Sequence, residues 1–169
     1  MHIGLIPTVA PYLLPLIVAP LKKAFPQMSL YLHEGQTHHL VQQLADGEID
    51  AAILALPIHH DAFSSLSLYR ESFSLAVYKQ HPLAKLKQVK PVHLVGHEIS
   101  LLAEGHCLRD QALDVCHSGG AADIGSFSAT SLETLRYMVE AQEAITLIPQ
   151  LAVTATGSGK RYQNLKYLG

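Results

Sequence analysis

The sequence predicts an α/β fold with largely parallel sheets. Short apolar runs of strand length alternate with longer amphipathic segments from one end to the other. Of the 169 residues, 49% are hydrophobic, enough to bury the core of one domain or of two small lobes. No internal repeat and no low-complexity tract interrupts the alternation.

Taken in order, residues 2–7 (HIGLIP) read as a short buried strand. A helix is expected from about Pro11 to Phe25, with Pro11 in its first turn. Pro15 and Pro20 should kink it or split it in two. Residues 29–34 (SLYLHE) alternate as a strand does. Thr37 to Asp46 read as a helix capped by Thr37 and ended by Gly47. Residues 50–56 form the next buried strand, and 57–72 a connection. SFSLAVYK (72–79) is a strand, followed by a turn at His81-Pro82-Leu83. EISLLAE (98–104) is a strand leading to a helix within 108–116. Residues 126–128 form a strand. Residues 130–141 form a helix capped by Thr130 or Ser131, with Glu133 and Glu140 on its polar side. ITLIP (145–149) is the last strand, and the polar tail from Thr154 is read as a hairpin or a frayed end.

Charge and hydropathy narrow the function. The net charge is −2, and the twelve Lys and Arg are scattered, the densest group being Lys85, Lys87 and Lys90. A domain that grips nucleic acid directly shows a clustered basic face, so none is expected here. No apolar run is long enough to span a bilayer, since Pro11, Pro15 and Pro20 break residues 9–21. The order of a secretory signal is also missing, so a cytoplasmic location with no membrane contact is expected. In that compartment structural disulfides are rare, and paired thiols are more often redox-active or metal-binding.

The two cysteines, Cys107 and Cys116, lie nine positions apart in GHCLRDQALDVCH (105–117). Three readings stand. They are two unrelated thiols serving as small hydrophobes. Or His106, Cys107, Cys116 and His117 hold a metal, although adjacent His-Cys pairs seldom point at one ion and His38-His39 and His59-His60 complete no ligand pattern. Or they are a redox pair. Nine residues of α-helix separate Cα atoms by about 13 Å, whereas a disulfide needs about 5.5 Å. A disulfide would then require the segment to unravel, making oxidation a conformational switch. Arg109, Asp110, Gln111 and Asp114 make the segment polar, so its melting should expose little apolar surface. In the redox reading Cys107 is the nucleophile: it follows a strand, opens a helix whose free N–H groups favour a thiolate, and has basic His106 and Arg109 beside it. Cys116 then resolves the sulfenic acid. The alternative for Arg109 is a solvated charge paired with Asp110 or Asp114.

Four stretches, LIPTVAPYLLP (5–15), YLHEGQTHHLVQQLADGEID (31–50), GHCLRDQALDVC (105–116) and ATSLETLRYMVEA (129–141), together resemble the effector domains of the LysR-type transcription regulators that sense hydrogen peroxide in bacteria. HCLRDQ with a second Cys nine positions on is the most specific part, because LysR-type effector domains in general lack that pair. The resemblance implies a two-lobed, periplasmic-binding-protein-like α/β fold, with residues 1–71 as lobe I and 72–169 as lobe II and tail. It implies Cys107 as the peroxide-reactive thiol and Cys116 as the resolving one. Thr8 and Thr37 would line a pocket between lobes while also capping helices, and His106 and Arg109 would orient and activate the thiol. The implied partners are hydrogen peroxide, a thiol reductant for reset, and further copies in a dimer or tetramer. DNA and RNA polymerase are partners only through a full-length protein.

No cofactor, no metal and no enzymatic turnover are expected. The rival readings are an effector domain that binds a small organic ligand and a thiol peroxidase. Relative to the family, the N-terminal helix-turn-helix and linker helix and the C-terminal return to lobe I are absent from these residues. The family's Gly-containing turn is replaced by Ala141-Gln142-Glu143-Ala144, so that turn is expected to differ or be less tight.

Overall fold

The computed structural model describes residues 1–120, 124–155 and 162–167. The chain forms two compact units, Met1–Arg70 with Gly105–Cys107, and Glu71–Glu104 with Leu108–Gly169.

In the first unit, strands β1 (His2–Leu5), β2 (Tyr31–Glu34) and β3 (Ala51–Ile53) form a parallel sheet in the order β2-β1-β3. Helix α2 (Thr37–Ala45) packs hard on it: a Cβ at Gly4 would lie 2.7 Å from a Leu40 methyl and 2.9 Å from one of Ile49. The missing Cβ at Gly4 leaves room for the ends of Leu40 and Ile49 to close over the sheet, where with Ile6 they form the buried core. Helix α1 (Ala10–Ala24) runs as a single 15-residue element, not two pieces. Pro15 and Pro20 each remove a helical N–H, but the carbonyls they leave free belong to Pro11 and Leu16, both exposed to water. At α2, Gln36 rather than Thr37 is the N-cap, and no side chain caps it. Gly47 ends that helix in the left-handed region at φ 72°.

In the second unit a four-stranded sheet has the order β5-β9-β4-β8, from β4 (Phe73–Tyr78), β5 (Gln88–Val89), β8 (Thr146–Pro149) and β9 (Tyr162–Tyr167). Here the largely parallel expectation is corrected. β4 runs antiparallel to both β8 and β9, and only β5–β9 is parallel. A separate parallel pair joins β6 (Ile99–Leu102) to β7 (Ile124–Ala129). Within the tail read as a hairpin or a frayed end, residues 162–167 are a sheet strand: β9 lies between β4 and β5, with Tyr162 and Leu165 buried. The two lie three positions apart with Gln163 and Asn164 between them, so the period-2 pattern of a strand is missing, which hid it. Residues 156–161, also assigned to that tail, lie outside the described residues. The core centres on Leu75, Val77, Val89, Leu94, Ile99, Leu147 and Leu165.

Helix α4 (Leu132–Glu140) is capped by Ser131, whose Oγ accepts from the Thr134 N–H at 3.1 Å. Its buried Arg136 donates to the Tyr162 hydroxyl and to Glu133, both at 2.7 Å, which ties the helix to β9. Beyond α4, Gln142 adopts φ 69°. The tight left-handed turn is therefore kept without the glycine, at the steric cost of a Cβ. Gln142→Gly should stabilise the fold by about 1 kcal/mol, read as a higher urea midpoint with unchanged slope.

Before the short 3-10 helix Pro82–Lys85, the buried His81 accepts the Leu83 N–H on Nδ1 at 3.2 Å. Its ring lies 5.0 Å from that of His97. Burial, and secondarily the charge of His97, lower its pKa. The folded state thus favours neutral His81. This contribution to stability is present above the ordinary imidazole value of about 6.5 and is lost as pH falls below it toward the lowered folded value. Unfolding by urea should need less denaturant at pH 5.5 than at pH 7.5, and His81→Gln should flatten that difference.

Candidate functional site

The site is built where β6 delivers the chain to helix α3 (Cys107–Ser118). Between them Gly105 takes φ 87°, a conformation suited to glycine. The turn sets His106 and Cys107 among residues of the first unit, while Leu108 onward belongs to the second. Cys107 is half-buried against the core of Ile6, Leu40 and Ile49. Beside it lies a small cleft lined by Ile6, Pro7 and Thr8 after β1, Gln36 and Thr37 at the start of α2, and Gly105, His106 and Cys107. All of these belong to the first unit. The empty space is about 150 Å³, part of it open to solvent.

Two polar atoms in this cleft are buried with no hydrogen-bond partner among the described residues, Thr37 Oγ1 and His106 Nδ1. Buried polar atoms are normally satisfied, so a pair of orphans beside a thiol marks a place prepared for a polar guest. The capping role expected of the two threonines is corrected. The N-caps of α1 and α2 are Val9 and Gln36, and neither helix has a side-chain cap, so the hydroxyls are not spent on helix ends. His106 is buried, and burial lowers its pKa. The lowered pKa favours the neutral imidazole, which can both accept and donate a hydrogen bond.

Arg109 and Cys116 are outside the cleft. Arg109 donates through Nη1 to the Leu102 carbonyl at 2.9 Å, and among the described residues it pairs with neither Asp110 nor Asp114. That bond clips the first turn of α3 back onto the end of β6. Cys116 is 4% exposed within the second unit's core, and burial pushes its thiol pKa up. Both cysteines are free thiols on one helix, which puts their Cα atoms about 13 Å apart along its axis. The same helix sets His106-Cys107 and Cys116-His117 at opposite ends, and among the described residues no three or more His, Cys, Asp or Glu side chains gather as a metal site.

The polar reading of α3 is also corrected. Leu108, Ala112 and Cys116 are buried, and Leu113 and Val115 pack on the second unit's core, so unwinding this helix exposes apolar surface. Sequence reasoning missed Gln36, whose only signal was its place before Thr37, and the positive φ of Gly105, a residue otherwise indistinguishable from an ordinary loop glycine.

Residues 1–162 match the LysR substrate binding domain. The chain belongs to that family. Within the family, it is 50% identical over 153 residues to the Escherichia coli K12 "DNA-binding transcriptional dual regulator OxyR", covering 90% of this chain and 50% of that protein. The LysR-family chain thus spans about half the length of the curated relatives it matches. The crystal structure of the oxidised form of OxyR aligns with a TM-score of 0.86 at 47% identity, covering 99% of this chain and 79% of that one. The reduced form aligns with a TM-score of 0.87 at 44% identity over the same shares. Among the described residues of this LysR-family domain, no helix is long and apolar enough to cross a membrane.

Proposed function

We propose that this chain is the peroxide-sensing regulatory part of a LysR-type transcription regulator, with Cys107 the reactive thiol and Cys116 its resolving partner. The observation that carries the reading is the half-buried Cys107 at the start of α3, beside the orphaned Thr37 hydroxyl and His106 imidazole. Thr8, Thr37 and neutral His106 would hold the peroxide oxygens, and Arg109 would hold the turn that presents the thiol.

The Cys107 thiolate attacks one peroxide oxygen. The O–O bond breaks, a sulfenic acid forms and hydroxide leaves, taking up a proton to become water. The Cys116 sulfur, losing its own proton, then displaces the sulfenic hydroxyl. An S–S bond forms and a second water leaves. The two sulfurs supply the two electrons that reduce the peroxide, and a cellular dithiol resets the pair. The sensing is stoichiometric, one disulfide per signal. Because the bonded Cα atoms must come within about 7 Å, α3 has to unwind, and in the longer protein that refolding would alter the dimer or tetramer and its hold on DNA and RNA polymerase.

Titrating the reduced protein with peroxide and mapping tryptic peptides under non-reducing conditions tests this. A Cys107–Cys116 link at about one equivalent is expected. Two free thiols after excess peroxide would overturn the proposal.

A further inference from the structure

Residues Gly105–Cys107 are three residues that side with the first unit, between flanking chain that belongs to the second. Something in the first unit has to hold them. At Gly105 a side chain is replaced by a neighbour: a Cβ there would lie 2.7 Å from Gln36 Oε1 and 3.0 Å from both Cδ and Nε2. The Gln36 carboxamide therefore occupies the space that a side chain at position 105 would claim. Gln36 is itself fixed as the N-cap of α2, one residue before Thr37, and its side chain lines the cleft. Cys107 also packs against the Ile6, Leu40 and Ile49 core.

Resting on the peroxide-sensing reading, we propose that Gln36 is a positioning residue, a latch that seats the Gly105–Cys107 turn in its reduced arrangement. The latch has two consequences of opposite sign. It keeps the Cys107 sulfur beside Thr37 and His106, which speeds attack on peroxide. It also holds Cys107 away from Cys116, which opposes the disulfide, because the carboxamide has to let go of Gly105 before the start of α3 can unwind. Simple loosening of the fold would not produce this pair of effects.

The test measures two quantities on the purified chain. One is the second-order rate of Cys107 oxidation by hydrogen peroxide in a Cys116→Ser background. The other is the dithiol–disulfide equilibrium of the two-cysteine protein in glutathione buffers. Gln36→Ala should slow oxidation by roughly ten- to a hundredfold. It should also shift the equilibrium about tenfold toward the disulfide, a potential about 30 mV more negative. Gln36→Met, which keeps the length and bulk over Gly105, should restore both to within about threefold of wild type. Unchanged values in Gln36→Ala would overturn the latch, and so would a slower reaction with an equilibrium unmoved or shifted toward the dithiol. A wild-type protein that forms no Cys107–Cys116 link would overturn the sensing reading and the latch together. A link in wild type with no Gln36 effect would overturn the latch alone.

Discussion

Cys107→Ser should abolish rapid reaction with peroxide, whereas Cys116→Ser should react at close to the wild-type rate and stop at the sulfenic acid or beyond. The asymmetry follows from where the fold puts each sulfur. Cys107 is half-buried on a solvent-open cleft at the first residue of α3, the end of a helix whose leading N–H groups have no partner within the helix. Cys116 is 4% exposed, packed in the second unit's core, with its thiol pKa raised by burial. The raised pKa leaves less thiolate at neutral pH, and core packing keeps peroxide from the sulfur as well. The second-order rate in Cys107→Ser should accordingly fall at least about a hundredfold. Stopped-flow consumption of peroxide measures it, with dimedone trapping to identify the oxidised residue. Comparable rates in the two single variants would mean that the cleft does not select the reactive cysteine.

How much of this could be read from the residues differs by element. The strands HIGL and TLIP were legible because both faces are covered and their apolar runs are short. β9 was not, because its buried Tyr162 and Leu165 are three apart, which breaks the period-2 pattern of a strand, and the fixing partner, β4, lies nearly ninety positions earlier. α1 resisted for a different reason. Two internal prolines ordinarily end a helix, and only their placement on its solvent side, a tertiary fact, allows it to continue. At the site, the Cys spacing and the flanking His106 and Arg109 stood out in the sequence. Gln36 did not, since its role comes from lying over a backbone about seventy residues away rather than from any spacing. The expectation that α3 would melt cheaply failed because counting polar residues ignores helical phase: Leu108, Ala112 and Cys116 fall on one buried stripe.

In the proposed switch that buried stripe would set the energetics. Leu108 is 6% exposed in the reduced helix. Unwinding the start of α3, as a Cys107–Cys116 bond demands, takes this side chain out of its place. Leu108→Ala should therefore cost the reduced form about 3 kcal/mol and cost the disulfide form little. Since about 1.4 kcal/mol corresponds to 30 mV for a two-electron couple, the reduction potential should become more negative by about 60 mV. Urea unfolding of the reduced and oxidised proteins gives the first quantity, and glutathione equilibration gives the second. The two must agree, because the folded dithiol, the folded disulfide and their unfolded chains form a closed thermodynamic cycle. An equal loss of stability in both redox forms, with no change in potential, would mean that Leu108 stays buried on oxidation. The refolding would then be confined to a shorter stretch or would spare this face of α3.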